Sequence, residues 1–305
     1  MEPPPAVSLP QEISLELLLG RVQQVAEDVG VRVLAIKGPL AARQQLRSRA
    51  LASDVDVLVD RGGRDALSGG LARLGWLSRP EDPRDDVFPK HSVSLYHPQW
   101  PLDVDLHESF PGMEAADAFD ALWAERVELD CAGHPVATPG PAGTTVVLAL
   151  NSLRASWSSM ASRELAELVR VAPARVPAAE VLTAATATGS LAALRPFVEQ
   201  AYPEADVTGW PEPSRLWRLY SSNPESASFR LIALREAPPW RWPGMLWRAI
   251  WPSRAALAAT NLDALTATSR QLLLLRLRRL QHAVQARGQI LEGYRTFRRA
   301  RESSR

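Results

Sequence analysis

Ser53-Asp54-Val55-Asp56-Val57-Leu58-Val59 decides how this chain is read. In a strand, successive side chains point to opposite faces, so Asp54 and Asp56 share one face while Val55, Val57 and Val59 share the other. Two carboxylates side by side in an apolar strand repel each other and resist burial, so they call for a counter-charge. Removing one of them is expected to relieve strain. A divalent cation is the usual remedy, and hard oxygen donors favour magnesium. The neighbouring sequence extends the pattern. Leu34-Ala35-Ile36-Lys37-Gly38-Pro39 lies upstream, and Leu102-Asp103-Val104-Asp105-Leu106-His107 lies downstream. Asp103, Asp105 and His107 share a face of their own strand and supply a third carboxylate. Carboxylates on neighbouring strands beside a Gly-bearing turn into a helix suit a metal-bound nucleoside triphosphate.

The turn has its own logic. Gly38 lacks a side chain, so phosphate oxygens can approach the backbone, and the following helix start offers free N–H groups to an anion. Lys37 is read as a phosphate contact, with a solvent-exposed strand-end lysine as the bland alternative. Among Arg43, Arg47 and Arg49, one phosphate contact is expected rather than three. His107 is either part of the ligand shell or a satisfied core histidine.

Spacing along the chain gives the organisation. Apolar residues three and four apart predict an amphipathic helix over Leu15–Val29, closed by Gly30. A buried strand follows at Val31–Ile36, then a helix at Leu40–Leu46 with Pro39 at its start. Val55–Val59 is a strand, Arg64–Leu74 a helix stopped by Gly75, and Trp76–Leu77 begins another edge. His91–His97 alternates, and Leu102–His107 returns as its hairpin partner. After Pro111-Gly112 the spacing turns helical. Helices are predicted at Thr144–Ala155, Ser162–Val171, Ala178–Thr186, Leu191–Gln200, Ser214–Tyr220 and Ser226–Leu234, with a long one near Leu265–Arg298. The expected class is α+β: a small mixed sheet with flanking helices over residues 1–138, then an all-helical domain over 139–305.

At 305 residues and 46% hydrophobic content, the chain can build a sizeable core. Its apolar runs are far shorter than the roughly 20 residues that span a bilayer, so no membrane span is expected. Met1–Pro10 lacks the basic start and apolar stretch of a signal peptide, which points to the cytoplasm. One cysteine, Cys131, excludes an internal disulfide framework. A net charge of +1 argues against a dedicated nucleic-acid binder. Only Lys37 and Lys90 are lysines among 35 basic residues, so a lysine inside the motif carries extra weight.

The order Lys-Gly, then Asp-x-Asp-hydrophobic-Leu-Val, then Asp-Leu-His resembles the bacterial "uncharacterised nucleotidyltransferase" family of the polymerase-β-like nucleotidyltransferase superfamily. The resemblance is strongest over residues 31–110. It implies that Asp54, Asp56 and Asp105 hold two magnesium ions and carry catalysis, and that ATP or a related triphosphate is the substrate. Lys37, Gly38, Arg43 and Arg49 would contact that triphosphate. Asp103, His107, Asn151 and Arg154 are candidates for the surrounding layer. Asp103 remains an alternative to Asp105. The implied reaction moves a nucleoside monophosphate to a hydroxyl-type acceptor, a small molecule or peptide. Ala50 stands where the subfamily has an arginine, and Asn151 and Ser156 stand where it often has histidines. These departures support the alternative of a catalytically silent nucleotide- or partner-binding protein.

Two later stretches stand apart. Trp240–Trp251 holds four of the ten tryptophans and is read as a packing surface, with a membrane-surface role as the other reading. The Leu272–Arg298 helix is read as a solvated basic face.

Overall fold

The computed structural model describes residues 9–48, 52, 54–80, 91–155, 158–222, 231, 233–235, 237–288, 290–291 and 294–295. Among these, residues within Met1–Ser78, His91–Asn151 and Arg163–Glu212 belong to one compact unit. Those within Arg79–Lys90, Ser152–Ser162 and Pro213–Arg305 belong to another.

The first unit opens with α1 (Gln11–Asp28), whose Leu15, Leu18, Val22 and Val25 recur at helical spacing and are buried. Gly30, with φ of +70°, ends it and turns the chain into β1 (Val33–Ile36). Next come α2 (Gly38–Arg43), β2 (Asp54–Val59), α3 (Arg64–Ala72), β3 (Leu77–Ser78), β4 (Ser92–Tyr96) and β5 (Asp103–His107). These strands form one mixed sheet in the order β1-β2-β5-β4-β3. β2 and β5 run parallel at its centre, and the other pairings are antiparallel.

The sheet has two unlike faces. Val33, Ala35, Val55, Val57, Val104 and Leu106 point into a core shared with α1 and α3. Alternation then obliges Asp54, Asp56, Asp103, Asp105 and His107 to point the other way.

A second pair of strands, β6 (Val127–Cys131) and β7 (His134–Thr138), forms an antiparallel hairpin packed on α1. Sequence spacing assigns no strand to this stretch, for two physical reasons. Pro135 lies inside β7, where it normally argues against a strand. The two-residue turn is Ala132-Gly133, with φ of +53° and +84°, and Ala rarely fills such a position. α1 lies close to the hairpin at Gly20, where a Cβ would meet the Cys131 carbonyl at 3.1 Å.

Helices follow: α4 (Ala118–Ala124) before the hairpin, and α5 (Pro141–Arg154), α6 (Ser159–Val171), α7 (Ala178–Ala187), α8 (Leu191–Ala201) and α9 (Arg215–Ser222) after it. The expected Ser226–Leu234 helix lies largely outside the described residues. In the second unit, helices at Trp242–Ile250, Arg254–Ala258 and Ser269–Gln285 follow. The predicted long helix begins at Ser269, after a 3-10 turn at Leu262–Leu265. Its start is set by a capping box in which Thr268 and Gln271 satisfy each other's backbone N–H. The packing role expected for Trp240–Trp251 is not what the structure shows. Trp240 is 79% exposed and Trp247 is 63% exposed.

Candidate active site

Strand register assembles the acidic residues. In the parallel pair, Asp54 lies opposite Asp103, Asp56 opposite Asp105 and Leu58 opposite His107. Two rows of like-charged side chains therefore face each other across neighbouring strands, an arrangement that destabilises a sheet unless cations neutralise it. One donor atom from each of Asp56, Asp105 and His107 lies within 4.8 Å of the other two. Asp54 and Asp103 occupy the adjoining register position, half-buried.

Asp56 is the centre of this cluster. Its side chain is 9% exposed, and its Oδ1 accepts from Lys37 Nζ at 2.8 Å and lies 2.9 Å from His107 Nε2. Burial pushes its carboxyl upward. The Lys37 charge and the His107 hydrogen bond more than reverse that, holding the group down at about 2. The repulsion read from the sequence is thus outweighed locally by two donors on one oxygen. His107 is 3% exposed and directs Nε2 at Asp56, so its place is that of an orienting partner for the carboxylate. Phe110 lies beneath the Lys37 ammonium, 5.6 Å from ring centroid to nitrogen. Neither contact was readable beforehand, although Asp-x-His spacing already placed His107 on the acidic face.

Lys37 reaches Asp56 from an unusual backbone. Its φ of +65° and ψ of −147° belong to a region that side chains other than glycine avoid. Gly38 follows with φ of +53°, and a Cβ there would meet nothing nearer than Ala52 Cβ at 4.0 Å. Conformation rather than crowding therefore calls for glycine at 38. The paired positive-φ residues turn the chain sharply from β1 into α2, bringing Lys37 over β2, where Ile36 pairs with Asp56.

The arginines are placed differently. Arg43 donates to the Asp130 carbonyl and to Glu16, and lies 3.6 Å from the Cys131 sulfur. Its guanidinium is committed to the α1–β6 side, with none of the carboxylate cluster among these partners. Arg47 pairs with Glu164 of α6 at 2.8 Å, and the Ser48 N–H donates to Glu167 at 2.8 Å, tying the α2–β2 connection to α6. Arg49 and Ser156 lie outside the described residues. Asn151 lies on α5 in the first unit, and Arg154, at that helix's end, belongs to the second, where its charge acts on Tyr220.

A family model described as uncharacterised nucleotidyltransferase matches residues 10–198, more than half of the chain. The chain belongs to that family. It is accordingly a nucleotidyltransferase, and the matched stretch contains every carboxylate of the site. No curated protein matches the sequence. Solved structures with similarity include an antigenic nucleotidyltransferase-like protein from Paracoccidioides brasiliensis, at 15% identity and a TM-score of 0.38. That alignment covers 67% of this chain and 96% of that one. The antibiotic-resistance factor ANT(2'')-Ia aligns at 17% identity and a TM-score of 0.41, over 60% of this chain and 96% of its own. A tRNA-processing enzyme aligns at 15% identity and a TM-score of 0.26, over 92% of each chain.

Proposed function

We propose that this nucleotidyltransferase is divalent-metal-dependent, using magnesium to move a nucleoside monophosphate, most simply from ATP, to the hydroxyl of a small molecule or peptide. The observation that carries this reading is the in-register placement of Asp56 and Asp105 on parallel strands, with Asp54 and Asp103 beside them. A set of hard carboxylate oxygens on one face fits magnesium, and Asp54, Asp56 and Asp105 would hold two such ions. When bound, the metal supplies positive charge that steadies the triphosphate and makes an acceptor hydroxyl easier to deprotonate.

The chain's own residues do the rest. Asp105 takes the proton from the acceptor hydroxyl. That oxygen then forms its bond to the α-phosphorus, the bond from phosphorus to the bridging oxygen breaks, and pyrophosphate leaves with the electron pair. His107 keeps Asp56 oriented throughout. Lys37 brings a point charge to the same place, available to a triphosphate once the carboxylates are otherwise neutralised. Residues 1–138 hold the triphosphate in this reading, while residues 139–305 select the acceptor, with Asn151 and Arg154 as the side chains to test.

One observation favours a second reading. The Lys37 ammonium already supplies a counter-charge to Asp56 without a metal, as a catalytically silent binding protein would require. Thermal shift with magnesium and ATP, run beside pyrophosphate release, separates the two. Stabilisation by Mg-ATP that disappears in Asp56→Asn, together with pyrophosphate release on supplying an acceptor hydroxyl, is expected. Equal stabilisation of wild type and Asp56→Asn overturns the metal assignment. Stabilisation without any turnover, with a panel of hydroxylated acceptors, supports the silent reading.

A further inference from the structure

The second unit leaves a run of large apolar residues in solvent. Its local core is built from Ala258, Ala264, Ala267, Leu257 and Leu272. Trp240, Trp242, Leu246, Trp247, Ile250 and Trp251 all stand in solvent. In the Trp242–Ile250 helix and its flanks, these side chains cover one half of the circumference. Arg248 on the other half is less exposed than they are. The apolar side of this helix is thus the one turned to solvent. A monomeric surface rarely carries a contiguous apolar patch of this kind without something to cover it.

The neighbouring helix repeats the pattern. On Ser269–Gln285, Leu273, Leu277 and Val284 are spaced by four and seven residues, lie on one stripe and are 43%, 51% and 60% exposed. The two elements are joined within the unit. Arg276 donates to the Pro252 carbonyl at 3.2 Å, and its guanidinium lies over the Trp251 ring at 4.4 Å. The exposed faces are therefore parts of a built structure.

Charge decides the occupant. From Ala237 to Leu291 the sequence has eight arginines and one acidic residue, Asp263, although the whole chain carries only +1. A second copy of this segment would meet it with like charge. A nucleic acid would satisfy the arginines but leave leucine and isoleucine against phosphates. An acidic-headgroup bilayer surface satisfies both, because tryptophan and leucine enter the boundary of the acyl chains while arginine stems reach outward to phosphate. No helix among the described residues is long and apolar enough to cross a membrane, so such binding is to the surface.

We infer that residues 240–291 form a docking face for a membrane rich in acidic phospholipids. The inference is independent of the reaction proposed above. Co-sedimentation of the full chain tests it, with vesicles of about three parts phosphatidylcholine to one part phosphatidylglycerol and with vesicles of phosphatidylcholine alone. Binding to the acidic vesicles should exceed binding to the neutral ones at least about tenfold and fall as salt is raised. The double variant Trp240→Ser, Trp247→Ser should lose at least about tenfold of it. Both residues are exposed, so the variant should keep the wild-type melting temperature, which serves as the folding control. A wild-type chain that stays in the supernatant with acidic vesicles overturns the inference. So does equal binding to both vesicle types, or binding the double variant retains in full.

Discussion

Strands β2 and β5 carry two molecules' worth of design on opposite faces. On one face Val55, Val57, Val104 and Leu106 are sealed in the core, and on the other Asp54, Asp56, Asp103 and Asp105 are ranged against each other. Neighbours in sequence thus answer to different physics. The apolar face contributes stability by leaving water, at roughly 1.5–3 kcal/mol for each large side chain fully buried. On the acidic face the charge of Asp56 is met by two donors, Lys37 from the β1 turn and His107 from the same face of β5. Substitutions one residue apart should therefore separate activity from stability.

The largest effect is expected on the acidic face. Asp56→Asn should reduce nucleotide transfer by about a hundredfold or more, the usual cost of losing a group aimed at developing charge. Steady-state pyrophosphate release reads it. The structure also reverses one expectation from sequence. Asp56 is held at about 2 by Lys37 and His107, so neutralising it removes an attraction rather than a strain. The metal-free variant should be less stable than wild type by about 1–2 kcal/mol at neutral pH. A variant more stable than wild type in urea would restore the repulsion picture.

Next comes the opposite face. Leu106, between Asp105 and His107 in sequence, is fully buried, and Leu106→Ala should cost about 2–5 kcal/mol through lost transfer energy and the remaining cavity. Turnover per folded molecule should stay near wild type at low temperature. If Leu106→Ala abolishes turnover while melting normally, the two faces are not separable.

This division explains what could be read in advance. Alternation in Asp54–Val59 and Leu102–His107 is a local signal, so the strands and their faces were legible. So were α1, α3 and α5 to α8, whose apolar spacing matches what they bury. The register was not legible. Nothing in the sequence says that β5 inserts beside β2 in parallel, and that pairing alone sets Asp105 opposite Asp56 and Asp103 opposite Asp54. The destinations of the basic side chains were equally hidden. Lys37 and Arg43 are six residues apart, and the family resemblance makes both triphosphate contacts. The turn at Gly38 sends one to Asp56, while the end of α2 sends the other to Glu16 and the Asp130 carbonyl. The β6–β7 hairpin escaped because Pro135 and Ala132 break the local rules for strands and tight turns.

Acid should blur the difference between wild type and Asp56→Asn. A carboxyl whose folded-state value lies below its unfolded one contributes stability that is complete above the unfolded value, near 3.8, and is lost as pH falls toward about 2. Metal-free unfolding free energies of the two proteins should thus differ at neutral pH and converge through that acid window. A gap that persists unchanged to the lower end would mean that Asp56 contributes through shape rather than charge.

The smallest effect tests the joint between the two faces, at Lys37, where opposing contributions nearly cancel. Its backbone, at φ +65° and ψ −147°, stores strain of order 1–3 kcal/mol for any residue with a Cβ. Its ammonium in turn stabilises a carboxylate that is 9% exposed. Lys37→Met keeps the strain and removes the charge, so it should destabilise the metal-free protein. Lys37→Gly also removes the charge but relieves the strain, less about 0.4–1 kcal/mol for the added freedom of the unfolded chain. The glycine variant should therefore be more stable than the methionine variant by about 1 kcal/mol, while in both Asp56 titrates higher than in wild type, with His107 still lowering it. Chemical denaturation at neutral pH gives the first quantity, and a carboxyl titration followed by NMR gives the second. If methionine and glycine prove equally stable, the turn is not strained, and Lys37 holds its place for charge alone.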